Sequence, residues 1–159
     1  MAAAWASRGS SRCRLPEPAD RDSPAELGAV VITQAALDTI AAHASSEHPR
    51  ECCGLLVGTD QAILKAVPVE NVASDPFRRY EIAPQAYFAE IRRCREQGGA
   101  VVGAYHSHPL SAPEPSPTDL EMAFSDFIFM IVGEPNAGGE VRAYILQDAQ
   151  LAEMSLSVI

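Results

Sequence analysis

Residues 100–119 read Ala-Val-Val-Gly-Ala-Tyr-His-Ser-His-Pro-Leu-Ser-Ala-Pro-Glu-Pro-Ser-Pro-Thr-Asp. The first part is a short apolar run ending at a histidine, which predicts a buried strand over Ala100–His106. The second part has prolines at 109, 113, 115 and 117, so it cannot be regular structure. On a strand, side chains two apart share a face. His106 and His108 can therefore address one point in space, and Asp119 returns to it from the turn after the proline loop. Two imidazoles and one carboxylate leave one position of a tetrahedral zinc open for water. The prolines lower the entropy cost of holding the loop closed. Ser116-x-x-Asp119 also reads as a capping pair with Pro117 at the first helical position, and a short helix is expected from Pro117 to about Ser125. Capping alone does not explain why the same loop begins with a strand-borne His-x-His, and the two roles are compatible because a cap fixes Asp119 in place.

Upstream, Arg50-Glu51-Cys52-Cys53-Gly54-Leu55-Leu56-Val57-Gly58 predicts a buried strand over Cys52–Gly58 with a glutamate at its mouth. A zinc hydrolase needs a base beside its water, and a carboxylate placed there can reach a metal on a neighbouring strand. Ala62–Val69 is the expected antiparallel partner, with Thr59–Asp60 as the turn. Order is expected from about Leu27, with a first strand to Ile32 and a helix N-capped by Thr33 running to about Ser46, Leu37, Ile40 and Ala41 facing inward. Asn71–Arg79 reads as a loop and Tyr80–Ile82 as a short strand. Pro84 opens a helix to Gln97, stopped by Gly98–Gly99, with Tyr87, Phe88, Ile91 and Cys94 on one face. Two further strands are expected over Asp126–Val132 and Glu140–Gln147, and one last edge strand over Leu151–Val158. Strands that pair partly as hairpins and alternate with helices give an α/β domain, a mixed sheet with helices on its faces.

The chain has 159 residues, enough for one domain with its own core. Residues 1–26, rich in Ala, Ser, Arg, Pro and Asp, read as a disordered tail, leaving 27–159 as the domain. The formal net charge is −9, which disfavours a nucleic-acid partner, since phosphate binding needs a basic surface. No apolar run approaches the roughly 20 residues of a membrane helix. Cys13, Cys52, Cys53 and Cys94 form no C-x-x-C pair and no disulfide framework, and reduced thiols in a cytoplasm are the simplest reading. Cys53 shares a strand face with Glu51, Ser107 points away from its histidine neighbours, and His43 and His48 read as surface residues.

An upstream glutamate followed by His-x-His, seven residues, Ser, two residues and Asp resembles the JAB1/MPN/Mov34 (JAMM) metallopeptidases. Glu51, His106, His108, Ser116 and Asp119 match that spacing, as do Gly54, Leu56 and Gly58 around the glutamate, and the likeness extends over roughly Leu27–Ile159. It implies a three-layer α/β/α fold similar to cytidine deaminases, although the H-x-E…P-C-x-x-C deaminase signature is missing. It further implies one Zn²⁺ held by His106, His108 and Asp119. Glu51 would pass a proton from the zinc's water to the leaving amine, and Ser116 would hydrogen-bond the oxyanion. Asn71-Val72 and Asp75-Pro76 followed by Tyr80 resemble the small stand-alone prokaryotic branch, while Ala83 departs from the acidic residue expected there. That branch is similar to enzymes trimming the C-terminal tail of a ubiquitin-like sulfur-carrier protein, releasing cysteine or another residue. Others of the kind remove ubiquitin-like modifiers from lysines, and a homodimer is compatible with the group. Two other classes compete: a metal-free scaffold module, which the complete ligand set opposes, and a DNA-repair protein, which the acidic charge opposes.

Overall fold

A computed structural model describes residues 28–59 and 62–159. The expected tail, Leu27 and Asp60 of the expected turn lie outside the described residues; Thr59 N–H still donates to Ala62 O at 2.9 Å. The elements run β1 (Val30–Ile32), α1 (Gln34–Glu47), β2 (Cys53–Gly58), β3 (Ala62–Val69), α2 (Pro84–Gln97), β4 (Ala100–His108), α3 (Pro117–Met122), β5 (Ile128–Gly133), β6 (Glu140–Gln147), β7 (Gln150–Met154) and β8 (Leu156–Val158).

The strands form one mixed sheet in the order β7-β6-β5-β4-β2-β3-β1-β8. β4 lies at its centre, antiparallel to β2 and parallel to β5, and β1 is parallel to β3 and β8. The expected single last strand is in fact two, one at each edge of the sheet, joined through Ser155 alone. One residue spans only a few ångströms, so the sheet must curl until its edges meet. Ser155 O accepts from Val30 N–H at 2.9 Å at that seam.

Helix α1 fills one face. Thr33 caps it, its hydroxyl accepting from Ala36 N–H at 3.2 Å. Ala36, Ile40 and Ala44 are the buried stripe, with Leu37 partly covered, packed on Val30, Ile32, Met130 and Val132. Ala41, expected inside, is exposed: the contact follows the i, i+4, i+8 ridge and needs small residues either side of Ile40. The opposite face carries Leu55, Ala104, Phe127, Phe129 and Ile131, joined by Tyr87 of α2 and by Ala123 just past α3. Helices on both faces make the expected three layers.

Three further expectations shift. On α2 the buried positions are Glu90 and Cys94, while Phe88 is exposed, because the helix turns its aromatic side toward a cleft. Tyr80–Ile82 forms only a single bridge between Asn71 and Ile82. The Asn71 amide takes up the backbone groups a strand would have used, accepting from Glu81 N–H and donating to Arg79 O. Finally, α3 ends at Met122, with Ala123 N–H closing on Leu120 O.

Candidate metal centre

The site lies where β2 and β4 end together. The β2–β4 register pairs Cys53 with His106, and continuing it by two sets Glu51 beside His108. Ser107, pointing to the other face, holds that end: its hydroxyl accepts from Cys52 N–H at 2.9 Å and its own N–H donates to Cys52 O at 3.2 Å. β4 continues to His108, beyond the expected end, because β5 pairs with it in parallel as far as Gly133. Both histidines are therefore strand residues with fixed backbones.

Their Nε2 atoms are 3.0 Å apart. Asp119 Oδ1 lies 3.1 Å from His106 Nε2, and Oδ2 lies 3.3 Å from His108 Nε2. These are close to the roughly 3.3 Å edge of a tetrahedron with bonds of about 2.0–2.1 Å. His108 Nδ1 contacts Ala112 O at 3.2 Å. In the tautomer whose Nδ1 donates to that carbonyl, Nε2 is the nitrogen left to ligate a metal. Two imidazole nitrogens and a carboxylate gathered at one buried point match the donor types of a catalytic metal, so this set fits a metal. Among the described residues it is also the group whose ligand atoms gather within 4.8 Å.

The proline loop delivers Asp119. The Tyr144 hydroxyl donates to Pro113 O, and Gly133 gives Pro113 room: a Cβ there would come within 2.4 Å of the proline ring. Ser116 then caps α3 in a reciprocal box. Its N–H and hydroxyl donate to Asp119 Oδ2 at 2.7 and 2.8 Å, and its oxygen accepts from Asp119 N–H at 3.2 Å. A serine hydroxyl carries one hydrogen. In this arrangement it faces Asp119, so service to an oxyanion requires that rotor to turn.

Burial opposes the charge on Asp119, but hydrogen bonds from His106 and His108 outweigh it and hold the carboxyl well below the usual range. Burial lowers His106, against the pull of Asp119. Burial would also lower His108, but the Asp119 carboxylate overcomes it and the net direction is upward. Glu51 is 7 % exposed, and burial raises its carboxyl from the ordinary 4.5 to about 7, with His108 opposing. Cys53 is buried and its thiol is pushed up to about 12, so it stays neutral beside the site.

Three partners escaped the sequence reading. Tyr80 stacks on His106, with centroids 4.4 Å apart and planes 20° from parallel. Asn71 Nδ2 donates to Glu51 O at 2.9 Å, and Glu51 N–H donates to Pro76 O at 2.7 Å, so the 71–80 loop clamps the glutamate's backbone. His43, expected at the surface, is half-buried with Nδ1 2.8 Å from the hydroxyl of Tyr105, which is buried on β4 beneath α1. The Asn71, Asp75-Pro76 and Tyr80 pattern marked the loop, but only long-range packing shows what it touches. Around the centre lies a cleft of about 570 Å³, walled by Glu51, Leu55, Tyr80, His108, Asp119 and Phe129 among others.

Residues 33–147 match the family described as prokaryotic homologs of the JAB domain. A desampylase of Haloferax volcanii is 34 % identical over 77 % of this chain and 91 % of its own. A probable TtuB-protein conjugate cleaving protease of Thermus thermophilus is 30 % identical over 77 % of this chain and 78 % of its own. A CysO-cysteine peptidase of Mycobacterium tuberculosis is 28 % identical, covering 82 % and 91 %. Among solved structures, a JAB1/MPN domain protein of Archaeoglobus fulgidus superposes with a TM-score of 0.58 at 23 % identity, covering 82 % of this chain and 98 % of that one.

Proposed function

The chain belongs to the family of prokaryotic homologs of the JAB domain and is a hydrolase of its stand-alone metallopeptidase type; from that premise we propose that it is a zinc peptidase cutting the amide after the C-terminal Gly-Gly of a ubiquitin-like sulfur-carrier protein. The observation that carries this reading is the convergence of His106, His108 and Asp119, with Glu51 at the adjoining strand end, in a largely apolar cleft. Zinc is the reading for the metal because two imidazoles and one carboxylate are its usual catalytic donor set.

A zinc ion held there would supply a Lewis acid and bring the pKa of its water to about 7. The protein groups do the rest. Glu51, whose carboxyl burial raises in the metal-free protein, stands at the mouth of the adjoining strand to take a proton from the attacking water and return it to the leaving amine. The water oxygen bonds to the glycine carbonyl carbon, the C–N bond breaks, and the same proton neutralises the amine. Ser116, once its hydroxyl turns from Asp119, donates to the developing oxyanion; one such donor contributes about 10²–10³ in rate. Tyr80 and the Ala112 carbonyl orient the two imidazoles.

The test is intact mass spectrometry of a sulfur-carrier protein extended by one cysteine after Gly-Gly, incubated with the zinc-loaded wild type and with Glu51→Gln. Loss of one residue's mass with the wild type alone is expected. An unchanged substrate with metal bound and fold intact would overturn the carrier reading. A second reading, removal of ubiquitin-like modifiers from protein lysines, is favoured by the relative described as a conjugate cleaving protease, and such conjugates are the substrates to try next. The complete donor set opposes a non-catalytic scaffold.

A further inference from the structure

In an acidic chain of net charge −9, the described lysines and arginines are sparse, yet two of them, Arg78 and Arg79, adjoin each other on the wall of the cleft. Both are exposed, and among the described residues neither side chain has an ion pair or hydrogen bond. Their backbone is nonetheless held. The N–H groups of Arg78 and Arg79 both donate to Asp75 O at 3.2 Å. A single amide then ties this turn to the residue at the mouth of β2, because Asn71 Nδ2 donates to Arg79 O at 3.0 Å and to Glu51 O at 2.9 Å.

That tie gives the arginines a side of the cleft. The group that protonates the leaving amine marks where the leaving residue sits, and that group is Glu51 on the reading above, on which this inference rests. The arginine turn is bound to the backbone of Glu51, and Arg78, Arg79 and Glu51 line the same cleft, which sets the pair on the side of the leaving group. In a one-residue leaving group the α-carboxylate carbon is two bonds from the amine nitrogen, about 2.5 Å. In a lysine isopeptide the amine is borne on a side chain, and the α-carboxyl of that lysine is an uncharged peptide group. A guanidinium pair is suited to a free carboxylate, since its planar fork matches both oxygens.

We propose that Arg78 and Arg79 are a receptor for the free α-carboxylate of the leaving residue, which makes the preferred substrate a carrier with a short C-terminal extension. Such a receptor lowers the energy of acids over neutral isosteres and leaves lysine conjugates without that gain.

The experiment compares a ubiquitin-like carrier ending in Gly-Gly-Cys with the same protein ending in the cysteine carboxamide, using zinc-loaded wild type, the Arg78→Gln/Arg79→Gln double variant and the Arg78→Lys/Arg79→Lys double variant. For wild type, kcat/KM on the acid exceeds that on the amide by about tenfold, in line with a hydrogen bond to a charged group. The glutamine pair brings this ratio near one, and the lysine pair restores most of it. Equal rates on acid and amide with wild type, or a glutamine pair that slows both alike, would overturn the receptor while leaving the peptidase intact. Cleavage of neither substrate would overturn the carrier reading and the receptor with it.

Discussion

Replacing Glu51 by glutamine separates the chemistry of this residue from its cost to the fold. Burial raises the carboxyl from 4.5 to about 7 in the metal-free protein. A folded-state value above the unfolded one means that ionisation is harder in the fold. The native state therefore binds the proton more tightly, and stability falls as pH rises from 4.5 through 7. A shift of this size corresponds to roughly 3 kcal/mol at full strength, and to about 2 kcal/mol once solvent in the open cleft screens it. Glutamine keeps the shape and carries no such penalty. In urea denaturation of the chelator-treated protein, Glu51→Gln should match the wild type near pH 4.5 and exceed it by about 2 kcal/mol at pH 8. Zinc should shrink that gap, because a cation beside the carboxylate favours its charged form. The same variant should retain the metal yet lose about 10²–10⁴ in kcat, the usual contribution of a general base. Parallel stability curves at every pH would refute the assignment of a buried, hard-to-ionise carboxyl. Full turnover would refute its role as the base.

Other outcomes follow from the same geometry. His106→Ala and Asp119→Ala should reduce bound zinc, measured by atomic emission, to near zero after dialysis; unchanged metal content would remove that residue from the ligand set. Chelation should abolish peptidase activity and added zinc restore it, while circular dichroism holds, since a domain with two apolar clusters does not need the ion to fold. Tyr80→Ala should weaken zinc binding by about 10–100-fold, as loss of an outer partner does, whereas Tyr80→Phe keeps the ring on His106 and should bind as wild type in a chelator competition. Tyr144→Phe leaves the buried Pro113 carbonyl without its donor and should cost about 1–3 kcal/mol in denaturant unfolding; no loss would show that the proline loop is held by other contacts.

The sequence by itself determined the parts of this protein whose signals are local. Helix α2 runs from Pro84 to Gln97 as predicted, because proline starts it and Gly98, with φ of 76°, stops it. β3 and β6 also fall on their predicted bounds, since short apolar runs flanked by turn residues leave a strand few alternatives. The convergence of His106, His108 and Asp119 was legible for the same reason: a two-residue strand repeat and a capping box are local geometry, and they bring the three side chains together. Tertiary structure alone decided the rest. The last strand divides at Ser155 because closing the curled sheet satisfies both edges, a gain no local window contains. Phe88 is outside and Glu90 inside because the cleft claims one side of α2. Tyr80 meets His106, and Asn71 ties Arg79 to Glu51, through contacts between segments distant along the chain. Local preference names the groups that can do chemistry; the packing of remote segments sets which of them meet, how strongly each is buried, and so at what pH it holds its proton.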